Sequence, residues 1–375
     1  MNFYELQEPT AWVDPPSTWS STTLDEIEEC PRRWQLLRSR WGEHDGFPVR
    51  ASSARIEGEI VHNALDRLTR ACGLRGNPAF GSLDFSEALT DADFFPGFVR
   101  DVGTWHQRLS EHPRPGPVFR LRASAEELAN RAVRMFREQY RPDGRVSQNK
   151  QLSKATATDL RSTLRQKHAL SEVKLRHPTL PFLGILDLVQ LTATGVEIVD
   201  FKTGRPSEKH GRQLLRYALL WWRTTGDAPK HVSARYLDGV ESWPVTQAAL
   251  IEVEADIGTK IPLWTNTIRT HPAVARPGAS CHSCPVRARC ALGWSVDEDA
   301  ARRGDVEVVA LTARGDHGFL ARSRVGADVA IVYDASIARL IPKHVEGQAL
   351  RILDAVWAES GSLEIKAWTE VFTVE

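Results

Sequence analysis

The most restrictive part of this chain is residues 184–222, GILDLVQLTATGVEIVDFKTGRPSEKHGRQLLRYALLWW. Here a stretch built like a β-hairpin carries three charges, Asp187, Asp200 and Lys202, and runs into a helical segment. Alternate residues of a strand share a face, so Val196, Ile198, Asp200 and Lys202 point the same way if residues 195–202 are extended. Gly184 to Thr192 is also rich in strand formers, and Ala193, Thr194 and Gly195 supply a short turn. With Ala193 and Thr194 as a two-residue turn, Asp187 falls opposite Asp200, although the register stays open by one residue at this level. Two carboxylates and an amine then converge. Taken alone, the same charges describe a solvated hairpin face with a surface ion pair worth about 0–1 kcal/mol.

Two helices offer partners. The stretch ASSARIEGEIVHNALDRLTRACG is expected to be helical from about Ala54 to Ala71, with Val61, Leu65 and Leu68 as an apolar stripe. Gly58 and His62 lie one turn apart. A helical glycine costs up to about 1 kcal/mol against alanine, so Gly58 points to close approach by another backbone or a ligand; by itself His62 reads as an ordinary core or surface histidine. A second helix is expected from about Lys209 to Arg223. It puts Gln213 and Tyr217 on one face and Leu214, Leu215, Ala218, Trp221 and Trp222 on the buried side, and in isolation such a polar pair simply faces water.

The chain has five cysteines, three of them in CHSCPVRARC as a C-x2-C-x5-C cluster, Cys281, Cys284 and Cys290. Tetrahedral zinc and a [4Fe–4S] cluster both take four soft ligands. Cys30 is the preferred fourth: it precedes Pro31, which drives the backbone out of helix and sets the thiol at the junction of helical segments Thr23–Glu29 and Arg32–Arg38. Cys72, at the end of an amphipathic helix, reads as a small buried hydrophobe. His282 is a weaker candidate, and three unrelated buried thiols are the ordinary alternative. A centre joining Cys30 to Cys281 closes a loop of about 250 residues, where a cross-link removes much unfolded-state entropy; it is expected to be structural.

With 48 basic and 48 acidic residues among 375, no global basic excess announces a nucleic-acid partner. A local run from Arg141 to Arg176 is the candidate phosphate-contacting surface. No apolar stretch of about 18 residues could span a membrane, and the N-terminus lacks the basic-then-apolar pattern of a secretory signal. The chain is therefore expected to be cytoplasmic, with reduced or metal-bound thiols.

GEIVH, GILDLV, IVDFKTG, QLLRY and the cysteine triplet occur in that order, with a lone Cys-Pro near the start. This series resembles the RecB-type nucleases of the PD-(D/E)XK superfamily. It is similar in particular to the branch with an iron–sulfur cluster, as in the nuclease domain of AddB and the nucleases of CRISPR adaptation. The resemblance implies an α/β, restriction-endonuclease-like core over residues 1–298 with a helical insertion at 75–170. His62, Asp187 and Asp200, with the Phe201 carbonyl, would hold Mg²⁺ or Mn²⁺, and Lys202 would be the active-site lysine. Gln213 and Tyr217 would support the site and contact the strand. Cys30, Cys281, Cys284 and Cys290 would ligate a [4Fe–4S] cluster. Phe201 departs from the tyrosine often found before the lysine. Independently of the resemblance, hard oxygen ligands suit Mg²⁺ or Mn²⁺ and phosphodiester hydrolysis.

Beyond Cys290 four strand-rich stretches follow, GDVEVVALTARGDHGFLARSR, ADVAIVYDAS, ALRILDAVWAES and LEIKAWTEVFTV, with IARLIPKHVEGQ as a short helix after the second. Splitting the first at Gly315 gives five strands with a helix between the third and fourth, an order that resembles the OB-fold over residues 303–375. Trp357, Trp368 and Phe372 are core residues or base-stacking platforms. The function expected from all this is a metal-dependent DNA exonuclease acting at single-stranded ends in repair, recombination or defence. Its rival is a non-catalytic DNA-end-binding subunit. No G-x4-G-K-[ST] motif is present, so a helicase or defence-complex protein is the expected partner.

Overall fold

The alternating stretches after residue 168 form one sheet, flanked on both faces by helices whose apolar stripes meet it. The computed structural model describes residues 3–50, 53–76, 78–111, 114, 124–139, 157–167, 169–237, 239–296, 304–313, 317–324, 326–334 and 346–374. Helices α1 (Ser21–Glu29), α2 (Pro31–Arg38), α3 (Ser53–Leu74), α4 (Leu83–Asp91), α5 (Phe94–Ser110), α6 (Ala125–Gln139) and α7 (Ala157–Lys167) precede strands β1 (Ala169–Arg176), β2 (Leu183–Thr192) and β3 (Gly195–Lys202). Then come α8 (Glu208–Thr225), β4 (His231–Tyr236), β5 (Gly239–Pro244), α9 (Gln247–Ile268) and α10 (Ala291–Val296).

The sheet order is β1-β2-β3-β4-β5. Only β3 and β4 are parallel; a parallel pair needs a crossover, which α8 supplies. Ser207 caps the start of α8, and Gly226 ends it in the left-handed region at φ 77. On one side of the sheet Val196, Ile198 and Val232 pack with Leu214 and Trp221 of α8 and Ile257 and Trp264 of α9. On the other, Val199 and Phe201 pack with Ile60, Val61 and Leu65 of α3, Phe94 and Phe98 of α5, and Phe136 of α6. Within residues 75–170 the helices α4 to α7 precede β1, which begins at Ala169, and 140–156, with much of the basic run, lies outside the described residues. Arg161 and Arg165 lie on α7, Lys174 and Arg176 on β1. Among the described residues no helix is long and apolar enough to cross a membrane.

The C-terminal stretches form a second sheet from β6 (Val306–Ala313), β7 (Gly318–Ser323), β8 (Asp328–Tyr333), β9 (Ala349–Leu353), β10 (Val356–Trp357), β11 (Leu363–Ile365) and β12 (Glu370–Val374). Among the described residues 7 strands stand in place of the expected five, in the order β10-β11-β8-β7-β6-β9-β12. The third and fourth stretches each break in two. A left-handed Asp354, φ 59, ends β9, and a turn closed by Thr369 N to Lys366 O at 2.9 Å separates β11 from β12. β11 runs parallel to β8 and β12 antiparallel to β9, so one piece of residues 363–374 ends the row and the other lies next to β10 at its opposite end. The helix expected within IARLIPKHVEGQ falls largely at 335–345, outside the described residues.

The two sheets are joined by a polar and apolar seam. Leu6, Leu36, Trp41, Phe47, Val286, Ala288, Leu353 and Phe372 share one core. Arg114 donates from Nε and Nη2 to the two Glu370 oxygens, both at 2.6 Å, with side-chain exposures of 2 and 0%. Arg287 Nε donates to Asp305 at 2.9 Å, and Arg289 Nη1 donates to the Thr373 carbonyl at 2.6 Å.

Candidate active site and cysteine cavity

The hairpin β2–β3 turns at Ala193 and Thr194, with Thr192 paired to Gly195 and Leu188 to Val199. That register puts Asp187 across from Asp200. One Asp187 oxygen accepts the Phe201 amide at 2.9 Å and lies 3.4 Å from His62 Nδ1 on α3. Asp200 is 2% exposed, and the Lys202 ammonium stands 2.5 Å from its Oδ2. Lys202 also donates to Gln213 Oε1 at 3.0 Å, and Gln213 Nε2 donates to the Tyr217 hydroxyl at 2.7 Å. The structure thus brings His62, Asp187, Asp200, Phe201, Lys202, Gln213 and Tyr217 into one continuous set of contacts.

Two glycines make this packing possible. A Cβ on Gly184 would lie 2.8 Å from Tyr217 Cε1 and from Leu220 Cδ1, so the Tyr217 ring occupies the space a side chain would take. A Cβ on Gly58 would lie 3.1 Å from Thr203 Oγ1. The close approach expected at Gly58 is therefore made by the residue after Lys202.

Charge crowding sets the protonation. Burial and the neighbouring Asp200 raise the Asp187 carboxyl well above its usual range. Burial lowers the His62 imidazole, opposed by Asp200, which favours the neutral ring that can act as a metal ligand. Glu172, which the sequence reading did not single out, belongs to the same electrostatic set. Burial raises its carboxyl first and Asp66 next, and its charge is felt at His62 and Asp187. It is left-handed at φ 49 in mid-strand, a conformation that costs a non-glycine residue roughly 1–3 kcal/mol. The β1–β2 pairing runs Ser171↔Leu188 and Val173↔Leu186 and skips the position between. Leu186 and Leu188, flanking Asp187, pack on opposite sides of the sheet. This break in alternation aims Asp187, and no residue in SEVKLR signals it.

Among the described residues no set of three or more His, Cys, Asp or Glu side chains already stands in an arrangement that could hold a metal ion. The fit of a divalent ion therefore rests on the donors. Asp200 Oδ2 is buried and receives no directed hydrogen bond despite the nearby ammonium, and Asp187 is held against it with its charge unfavourable. A hard cation satisfies both oxygens.

Cys30 ends α1 and caps the start of α2. Cys30, Cys281, Cys284 and Cys290 line one cavity. The Cys30 sulfur accepts amides of Arg33 and Arg276, both at 3.5 Å, and the Cys281 sulfur accepts that of Gly278 at 3.4 Å. Burial pushes the Cys284 thiol up to about 11. Cys72 lies apart in the apolar core beside α3, with its thiol pushed up to about 12 by burial. His282 is exposed and contacts the Ala279 carbonyl instead. A group binding through four soft donors fits this cavity by the chemistry of its lining.

Residues 18–291 match the family model of the PD-(D/E)XK nuclease superfamily. The chain belongs to this superfamily. PD-(D/E)XK proteins are in general metal-dependent nucleases, typically using Mg²⁺ or Mn²⁺, and the α/β architecture of this chain is consistent with their core. No curated protein matches the chain. A solved structure titled "Crystal structure of SSO0001" is similar at 20% identity and a TM-score of 0.22, over 36% of this chain and 66% of that one. The match thus covers just under two thirds of that chain's length.

Proposed function

We propose that this PD-(D/E)XK chain is a Mg²⁺- or Mn²⁺-dependent deoxyribonuclease that acts as an exonuclease at single-stranded DNA ends. The observation that carries the reading is Asp200 Oδ2, buried without a directed hydrogen bond, beside Asp187 and Lys202 at the end of one hairpin. Asp187 and Asp200 hold the ion, with neutral His62 and the Phe201 carbonyl completing its protein ligands. When bound, the ion polarises the phosphate and lowers the pKa of attacking water. Lys202 orients that water and offsets charge that develops on the phosphoryl oxygens. Gln213 fixes the ammonium, and its amide in turn is held by the Tyr217 hydroxyl, so the α8 pair positions Lys202.

Cys30, Cys281, Cys284 and Cys290 ligate a [4Fe–4S] cluster that ties the start of the nuclease domain, residues 1–298, to its end. Residues 303–375 form an OB-like barrel. The support is the strand order, with the last segment pairing with both β8 and β9. Phe372 is 0% exposed and belongs to the core, whereas Trp357 and Trp368 are 38 and 43% exposed. A helicase or a defence complex supplies unwinding.

The test uses 5′- and 3′-labelled single- and double-stranded DNA and a circular single strand, with either metal, for wild type and Lys202→Ala. Metal-dependent loss of linear strands by wild type alone supports the reading, and the circle reports the need for an end. Absence of cleavage by cluster-loaded wild type on every substrate overturns it in favour of an end-binding subunit.

A further inference from the structure

A cleft of about 460 Å³ opens at the carboxyl ends of the parallel pair β3 and β4. Its volume is that of small-ligand pockets, about 300–1,000 Å³, and open α/β sheets bind ligands outside the carboxyl ends of such strands. Thr203, which follows Lys202, lines it, as does Tyr236, the direct pairing partner of Lys202 across β3 and β4. Adjacent strands are about 4.8 Å apart, so the cleft begins beside the candidate lysine.

Its lining divides by chemistry. Leu128, Leu237 and Val240 provide apolar surface, the last 48% exposed. Arg205, on the loop between β3 and α8, is exposed and makes no ion pair among the described residues; Arg131 comes from α6. The Tyr236 hydroxyl lies 2.8 Å from His210 Nδ1 and donates to Glu241 at 3.4 Å, giving fixed polar groups at the wall. Glu57 and Glu241 also line the cleft. An exposed guanidinium beside apolar surface suits a ligand with one phosphate and a flat ring.

We propose that this cleft is a mononucleotide subsite, which holds the nucleotide next to the bond on which Asp187, Asp200 and Lys202 act. The assignment deepens the nuclease reading and rests on it for the identity of the ligand. Arg205 meets the phosphate, and Leu237 and Val240 receive the base.

The experiment is calorimetric titration of the full-length protein with thymidine 5′-monophosphate, thymidine and inorganic phosphate, using wild type, Arg205→Ala and Val240→Trp. The nucleotide is expected to bind wild type. Arg205→Ala removes a charge-assisted contact and weakens binding on the order of tenfold. Val240→Trp fills the cleft and has at least that effect, with circular dichroism confirming that each variant is folded. No nucleotide binding by wild type at millimolar concentration, or wild-type affinity in both cleft variants, overturns the subsite. Phosphate binding as tightly as the nucleotide overturns it in favour of a bare anion site. The two readings fail separately: cleft-dependent nucleotide binding without DNA cleavage sinks only the nuclease activity, whereas cleavage with nucleotide binding indifferent to Arg205 and Val240 sinks only the subsite.

Discussion

The Asp187 carboxylate accepts the amide of Phe201 at 2.9 Å. This bond crosses the hairpin and holds one acid beside the next, since Phe201 follows Asp200 in the chain. Burial first and the neighbouring Asp200 next raise the Asp187 carboxyl, while the Phe201 amide opposes them. Lys202→Ala is expected to lower cleavage by at least about 10²–10³-fold, the usual loss for one electrostatic group at a reacting centre, while DNA binding and iron content stay unchanged. Single-turnover cleavage beside a filter-binding assay checks both; near-wild-type cutting refutes the assignment.

Gly184→Ala tests the packing behind the site. The added Cβ meets Tyr217 and Leu220 at 2.8 Å, and overpacking of this kind costs about 1–3 kcal/mol. Urea unfolding should show a lower midpoint with an unchanged slope. A variant as stable as wild type means that Tyr217 moves aside freely and does not hold Gln213 in place.

Arg114→Met tests the seam between the sheets. It strands Glu370, whose side chain is 0% exposed, and breaking a buried ion pair typically costs about 3–5 kcal/mol. Arg50, 3.1 Å from the same carboxylate, is a remaining partner, so the lower end of that range is expected. Thermal unfolding is the measurement, and a melting temperature equal to that of wild type contradicts the burial of this pair.

Acid should destabilise the fold through His177. Its Nδ1 accepts the Leu180 amide at 3.0 Å and its Nε2 lies 3.0 Å from Glu254, and burial lowers the imidazole below its ordinary 6.5. Below that value the unfolded chain takes up the proton first, so stability falls as pH drops from 6.5 through the folded pKa. Glu254, lowered chiefly by Arg223, adds a loss of the same sign below its ordinary 4.5. Unfolding midpoints at pH 7.5 and 5.5 should differ more in wild type than in His177→Gln; equal differences exclude His177 as the source.

Cys30→Ser is expected to strip the brown colour and iron from anaerobically purified protein, and Cys72→Ser to leave both. Visible absorption and metal analysis decide this. Zinc in place of iron in wild type removes the cluster and leaves the four-thiol site, while iron retained in Cys30→Ser removes Cys30 from it.

Much of the site was legible because its signals are local. A short turn narrows the β2–β3 register to within one residue, which the structure then settles, helical spacing puts Gln213 and Tyr217 one turn apart, and Pro31 places Cys30 between two helices. The tertiary structure decided what depends on contacts between distant segments. Glu172 enters the site only because β1 pairs with β2 and breaks its alternation there, and Gly184 matters only because α8 lays Tyr217 over it. Arg216 on α8 is buried against Asp25 of α1, at 2.7 Å, whereas Leu215 and Trp222, expected on the buried side, are only half-buried. The seam of Arg114, Arg287 and Arg289 with the C-terminal strands joins residues 18 to 256 positions apart. Periodicity and turn chemistry act over a few residues and are written in the chain, whereas the partner of a buried charge is set by which surfaces the fold brings together.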